Sequence, residues 1–257
     1  MQLTARLLGV DLRLNAAPEL ITELRRELPQ LWVEPVRSTE PVDLFLESDG
    51  RSRTSSYPGV AATPAQVTLA ELTTYLVTAS PLFCVHAGVV SGSVGALAVP
   101  GTSGHGKTTL TAALVGAGFG YLSDEVLAVD RATGQLTPFP RPLAVDARSW
   151  RILGRNPSEA PEPGSEKLIQ PAELGPAGVP GFLRILLIAR RRPGPTRLEP
   201  LTAGAGVQAL LDNSFNHYQD GRSSFRTAVD AVRGAEVWQL DYPDAVAAAT
   251  ELAARWL

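Results

Sequence analysis

Two stretches of the sequence carry residues suited to phosphate chemistry. The first is Gly101-Thr102-Ser103-Gly104-His105-Gly106-Lys107-Thr108, which matches the pattern glycine, any four residues, Gly-Lys-Ser/Thr. Its glycines let the main chain curl so that several N–H groups point inward and form an anion nest. A helix starting at Lys107 adds its positive N-terminal end. Lys107 can reach the β- and γ-phosphates of a nucleotide, and the Thr108 hydroxyl can join the shell of Mg²⁺. Thr109 follows as the next residue of the candidate nucleotide site. The second stretch is the acidic pair Asp124-Glu125. One carboxylate could take a proton from an attacking hydroxyl, and the other could bind Mg²⁺ directly or through water. Arg141 stands between Pro140 and Pro142, where a rigid backbone could aim a guanidinium at phosphate oxygens. His86 lies in an apolar run, a setting that suits a core histidine as well as a functional one.

These groups need a scaffold that brings them to one edge. Residues 85–91 and 94–99 read as strands joined at Gly92-Ser93, a tight-hairpin signal. An antiparallel pair there predicts a mixed sheet, because a purely parallel one would need a crossover helix. The loop at 101–106 then leads into a helix from 107 to about 117, stopped by Gly118. Residues 119–123 read as the next strand, returning beside the strand that precedes the loop. It would end at the sheet edge where α/β proteins bind ligands, with Asp124 and Glu125 facing the phosphates. Strands are also expected at 126–129, 135–137, 182–189 and 236–240, with helices at 205–216 and 243–257. Residues 154–181 hold 11 Gly or Pro in 28, which implies a flexible loop or lid. Glu166 and Lys167 lie in it. Arg190-Arg191-Arg192 reads as a charged strand end or a dock for an acidic peptide segment.

Upstream, residues 1–80 read as a small α+β amino-terminal region. Leu3, Ala5, Leu7 and then Val10, Leu12, Leu14 alternate like one strand with a slip. Residues 18–29 look helical, and 42–46 form a short strand. Thr68 with Glu71 suggests a capping box for a helix reaching about residue 78. The remainder, 81–257, reads as the domain that carries the chemistry.

Composition bounds the rest. The chain has 257 residues, 44% hydrophobic and 19% charged, with 23 glycines and 21 prolines. That composition suits a folded, loop-rich protein. A net charge of −3 disfavours a general nucleic-acid polymer or anionic-membrane partner. One cysteine, Cys84, excludes an internal disulfide and a cysteine zinc cluster, and its apolar surroundings make it a core thiol. No apolar run approaches the about 18 residues of a membrane span. The amino end lacks the form of a signal peptide, so a cytoplasmic location is the expectation.

Together, Val85-His86-Ala87-Gly88, the loop at 101–108 and Leu122-Ser123-Asp124-Glu125 resemble the catalytic domain of HPr kinase/phosphorylase. The likeness is densest over residues 84–145 and is closer still to the HPr-kinase-like proteins found beside peptide-modification genes. It implies a fold similar to HPr kinase and phosphoenolpyruvate carboxykinase, an ATP donor with Mg²⁺, and a serine hydroxyl of a small peptide or protein as acceptor. It also implies roles: Asp124 as general base with His86 beside it, Lys107 on the phosphates, Thr108 on Mg²⁺, and Glu125 supporting the metal with Asp124. Glu125 stands where the family usually has aspartate, and the signature tied to phosphorolysis is missing. A homo-oligomer is an open option, since HPr kinases form rings. The same site could instead phosphorylate a small metabolite such as free serine, or bind nucleotide as a regulator without turnover.

Overall fold

The computed structural model describes residues 1–52, 63–101 and 106–257. Thr102, Ser103, Gly104 and His105 lie outside the described residues.

The alternating apolar residues at the amino end form two strands rather than one with a bulge. β1 (Gln2–Leu7) and β2 (Val10–Asn15) pair antiparallel. Leu8 and Gly9 make the turn, both at positive φ (48° and 80°), as a two-residue hairpin loop of this hand requires. α1 (Pro18–Glu27) starts on a proline and buries Leu20, Ile21 and Leu24. β3 (Val42–Phe45) joins β2 in parallel. α2 (Pro64–Ala79) begins four residues before the expected cap. Thr63 and Gln66 form the capping box there and Pro64 takes the first helical position, so Thr68 is a buried residue inside the helix.

The rest of the chain builds around an eight-stranded sheet. β4 (Phe83–Gly92) and β5 (Gly95–Pro100) form the expected hairpin, with Gly92 opposite Gly95, so the turn is Ser93-Val94. α3 (Lys107–Gly116) follows the loop, entered through Gly106 at φ 82°. β6 (Gly120–Ser123) and β7 (Val126–Val129) both pair antiparallel with β4, β6 along its second half and β7 along its first. The expected neighbour of β6 was β5; β4 lies between them instead. β5 and β6 still run parallel to one another, each antiparallel to β4, so both end at the same sheet edge.

Next come β8 (Leu136–Thr137), β9 (Leu143–Asp146) and the short α4 (Ala147–Ile152). The glycine- and proline-rich segment is more ordered than its composition suggests. It holds β10 (Glu166–Ile169), paired antiparallel with β9, and two 3₁₀ turns at Pro157–Glu159 and Pro171–Glu173. β11 (Leu183–Arg191) is parallel to β5. β12 (Arg197–Pro200) and α5 (Ala203–Asp212) lead to α6 (Gly221–Arg233), which periodicity missed. α6 buries Ser224, Thr227, Ala228 and Val232 while Phe225 is exposed, so its inner face is written in small and polar residues. β13 (Glu236–Tyr242), parallel to β11, and α7 (Ala245–Trp256) close the chain.

Helices cover both faces of this sheet. α3 and α7 pack on Val90, Leu97, Val99, Ile185 and Leu240. α5 and α6 pack on the alternate residues, among them Val89, Ala98 and Leu186. The amino-terminal elements share their core with Cys84, Val126, Ala128 and Phe139. The architecture is thus α/β with a mixed sheet. Among the described residues no helix is long and apolar enough to cross a membrane.

α3 lies tight against β4. A Cβ on Gly88 would run into the Thr111 hydroxyl of α3, a buried group without a hydrogen-bond partner among the described residues. Gly88→Ala is expected to cost about 1–3 kcal/mol by overpacking. Thr111→Ala should recover much of that loss in the double variant, as read from a denaturation cycle. Additive losses would show that the helix does not sit on Gly88.

Candidate functional site

Asp124 and Glu125 occupy the break between β6 and β7. The Ser123 hydroxyl makes the break by accepting from the Glu125 and Val126 N–H groups at 3.2 and 3.0 Å. β4 holds the far side, where the Ala87 N–H donates to the Glu125 carbonyl at 3.1 Å. The two carboxyl groups point into different surroundings. The Asp124 side chain is 3% exposed and that of Glu125 27%.

Arg141 bridges the pair. Its Nε lies 3.6 Å from Asp124 Oδ1 and its Nη1 3.6 Å from Glu125 Oε2. Nη1 also donates to Thr73 Oγ1 of α2 at 3.5 Å, so the amino-terminal region touches the site. The Tyr121 hydroxyl is 3.2 Å from Asp124 Oδ1 and 2.7 Å from the Arg141 carbonyl oxygen. His86 Nε2 stands 3.2 Å from Glu125 Oε1. The imidazole is set by β4 and by 213–216, which runs beside the first residues of that strand. The His86 N–H donates to the Asn213 carbonyl at 2.8 Å, and Phe215 N–H to the Cys84 carbonyl at 2.9 Å. The Phe215 ring packs 5.3 Å from the imidazole, centre to centre. Buried Asn216 anchors this segment, accepting from the Cys84 N–H and donating to the Leu82 carbonyl.

Electrostatics separates the two acids. Burial pushes the Asp124 carboxyl up to about 6, against the pull of Arg141. Burial acts on Glu125 too, but the His86 hydrogen bond and the charges of Arg141 and Lys107 outweigh it and hold that carboxyl below its ordinary value. Lys107 is buried, which lowers its ammonium pKa, while Glu125 and Asp124 oppose the shift. Arg141 is held above its usual value: burial works against its charge, and Asp124 and Glu125 more than compensate. Burial, then the Asp124 charge, drives the Tyr121 phenol well up. Neighbouring acids driven apart in this way can share proton transfer and cation binding between them.

The fold therefore brings His86, Lys107, Asp124, Glu125 and Arg141 into one electrostatic cluster. Gly101 and Gly106 border the loop; the Gly101 N–H donates to the His86 carbonyl at 3.1 Å. Thr108 is half-buried in the first turn of α3. The Thr109 hydroxyl is engaged elsewhere, donating to Ser149 Oγ of α4 at 2.8 Å. Glu166 lies within electrostatic reach of Arg141 and Glu125. Lys167 turns away, its Nζ 4.8 Å from the centre of the Trp150 ring. Cys84 is buried and its thiol is pushed up to about 11, which keeps it unreactive.

Tyr121, Thr73 and Ser149 were missed from the sequence. Tyr121 stands three residues before Asp124 on a fully buried strand, where a phenol needs a partner; that was the available signal. Thr73 and Ser149 gave none.

For Mg²⁺ the donor set suits a hard cation, with the Thr108 hydroxyl and an ionised Glu125 carboxylate. Among the described residues no group of three or more His, Cys, Asp or Glu could hold a metal. Phosphate oxygens and water would have to complete the shell. No protein-family model matches the chain, and a search of curated proteins gave no match.

The folded-state value of about 6 for Asp124 lies above its ordinary 3.8. The stability that this group contributes is fully present below about pH 4 and is lost as the pH rises through about 6. Asp124→Asn should therefore be more stable than the parent at pH 8, by on the order of 1–3 kcal/mol, and the difference should shrink towards pH 4. Thermal melts across that range check the sign; a less stable variant at pH 8 would mean that the Arg141 pair outweighs burial.

Proposed function

We propose that the protein is a Mg²⁺- and ATP-dependent kinase that transfers the γ-phosphoryl group to a hydroxyl, most readily a serine of a small peptide or protein. One observation carries the proposal: the buried carboxyl of Asp124 shares an electrostatic cluster with Lys107, the lysine of the phosphate-loop pattern. The acceptor class comes from the likeness to HPr-kinase-like proteins, and with it a similar catalytic fold.

In this proposal Lys107 holds phosphate oxygens, and Thr108 with Glu125 would hold Mg²⁺, whose charge offsets that of the phosphates. Asp124 takes the acceptor hydroxyl proton as the new O–P bond forms and the bond to the leaving diphosphate breaks. A base with a pKa near 6 is ionised at neutral pH and still basic enough for the task. Arg141 orients both carboxylates, and His86 steadies Glu125. Nearby guanidinium and ammonium groups also spread the charge that develops on the transferring group.

Incubation with Mg-ATP and serine-containing peptides should add about 80 dalton to the acceptor. Asp124→Asn should slow transfer by at least about 100-fold, as loss of a general base does, and Lys107→Ala should weaken nucleotide use. If Asp124→Asn transfers as fast as the parent, Asp124 is not the base. The greater exposure of Glu125 favours the exchange of roles as a second reading. It would be adopted if Glu125→Gln abolished transfer while Asp124→Asn did not. Nucleotide binding with no product from peptides, and turnover only on free serine or related metabolites, would reassign the acceptor.

A further inference from the structure

On the side of the loop away from the carboxylates, the parallel strands β5, β11 and β13 run towards the same edge, where β11 and β13 end in register beyond the end of β5. At this edge Arg191 is paired in register with Tyr242, and the Arg192 N–H donates to the Tyr242 carbonyl at 2.9 Å. The Tyr242 side chain is only 2% exposed. Its hydroxyl is aimed at the entry to α3, where a Cβ on Gly106 would lie 3.2 Å from the phenolic oxygen. Among the described residues this hydroxyl has no hydrogen-bond partner. Arg191 is exposed, with its Nε on the Pro243 carbonyl at 3.3 Å, and it acts electrostatically on the tyrosine.

We propose that Tyr242 binds the nucleotide: its hydroxyl donates to a phosphoryl oxygen on the nucleoside side of the triphosphate, and Arg191 supplies the adjacent positive charge. This rests on the kinase proposed above and adds a subsite to it. The ring is buried, and the hydroxyl, left unpaired by the described residues, is free to donate to a ligand oxygen. The hydroxyl points at a helix N-terminus, where anions gather. Polarity along the edge then sets direction. Asp124 and Glu125 lie across β4 from the loop strand, so the phosphoryl group that is transferred must lie on that side. The remaining phosphates run the other way, towards β11 and β13. Gly106 fits the same geometry. Its positive φ of 82° already favours glycine, and any side chain there would crowd the phenol.

The test is calorimetric binding of Mg-ATP and of inorganic tripolyphosphate to the full chain and its variants. Tyr242→Phe keeps the ring and should melt no lower than the parent. It is expected to weaken both ligands alike, by about tenfold or more, as loss of a hydrogen bond to a charged group does. Arg191→Gln should weaken both by roughly two- to fivefold, with a smaller effect at high salt. Unchanged binding of both ligands by Tyr242→Phe overturns the inference and leaves the kinase standing. A loss for Mg-ATP alone would move the contact to ribose or base and overturn the phosphate assignment. Should the parent bind neither ligand, the kinase proposal itself fails, and this subsite with it.

Discussion

A carboxyl group kept almost entirely out of water is the constraint from which the site follows. Asp124 lies where β6 gives way to β7, and water cannot solvate its charge. Arg141 compensates in part, the Tyr121 hydroxyl stands beside the carboxyl, and Ser123 holds the break in the chain at which it sits. Arg141 is itself enclosed and depends on both acids for the stability of its own charge. Removing both acids would strand the guanidinium, a far larger penalty than the modest worth of such a pair in water, whereas neutralising Asp124 alone leaves Glu125 to hold it. The ionisable groups are therefore a mutually dependent set, and the acids are biased in opposite directions within it.

β4 transmits this arrangement. It pairs with β5 on one side and with β6 and β7 on the other, so the loop strand and the acidic break share one neighbour. Two lattice spacings of about 4.8 Å then separate loop strand from acidic break. The same strand carries His86 between them. Its first residues are flanked by 213–216 where β5 has already ended, and that segment secures the imidazole. Gly88 lets α3 approach the strand closely. A strand that must accept neighbours on both edges and a helix on one face has little room for change, and its near-complete burial agrees with that.

The amino-terminal elements are part of this economy of contacts. Their core runs into Cys84, Val126 and Ala128, and Thr73 on α2 reaches Arg141. Gln66 on the same helix donates to the Glu166 carbonyl at 2.9 Å. Contacts from this region thus reach two strands of sequence far downstream, β10 and the segment that holds Arg141.

Local chemistry made several features legible from residue order alone. Periodicity marked β4, β5 and β7, and the glycine-lysine pattern marked the start of α3, because these signals depend on neighbours a few positions apart. The acidic pair was visible for the same reason. Other features depended on distant partners. The α2 cap came five residues early because Thr63, Gln66 and Pro64 outcompete Thr68 and Glu71. α6 was hidden because its inner face is small and polar and its phenylalanine is exposed. That β6 would pair with β4 rather than β5 is set by burial across the whole sheet. The opposite biases of Asp124 and Glu125, and the isolation of the Tyr242 hydroxyl, arise from packing among residues that stand far apart in the chain. Residue types can announce a carboxylate or a phenol; its solvation and its partners come into being when the layers close.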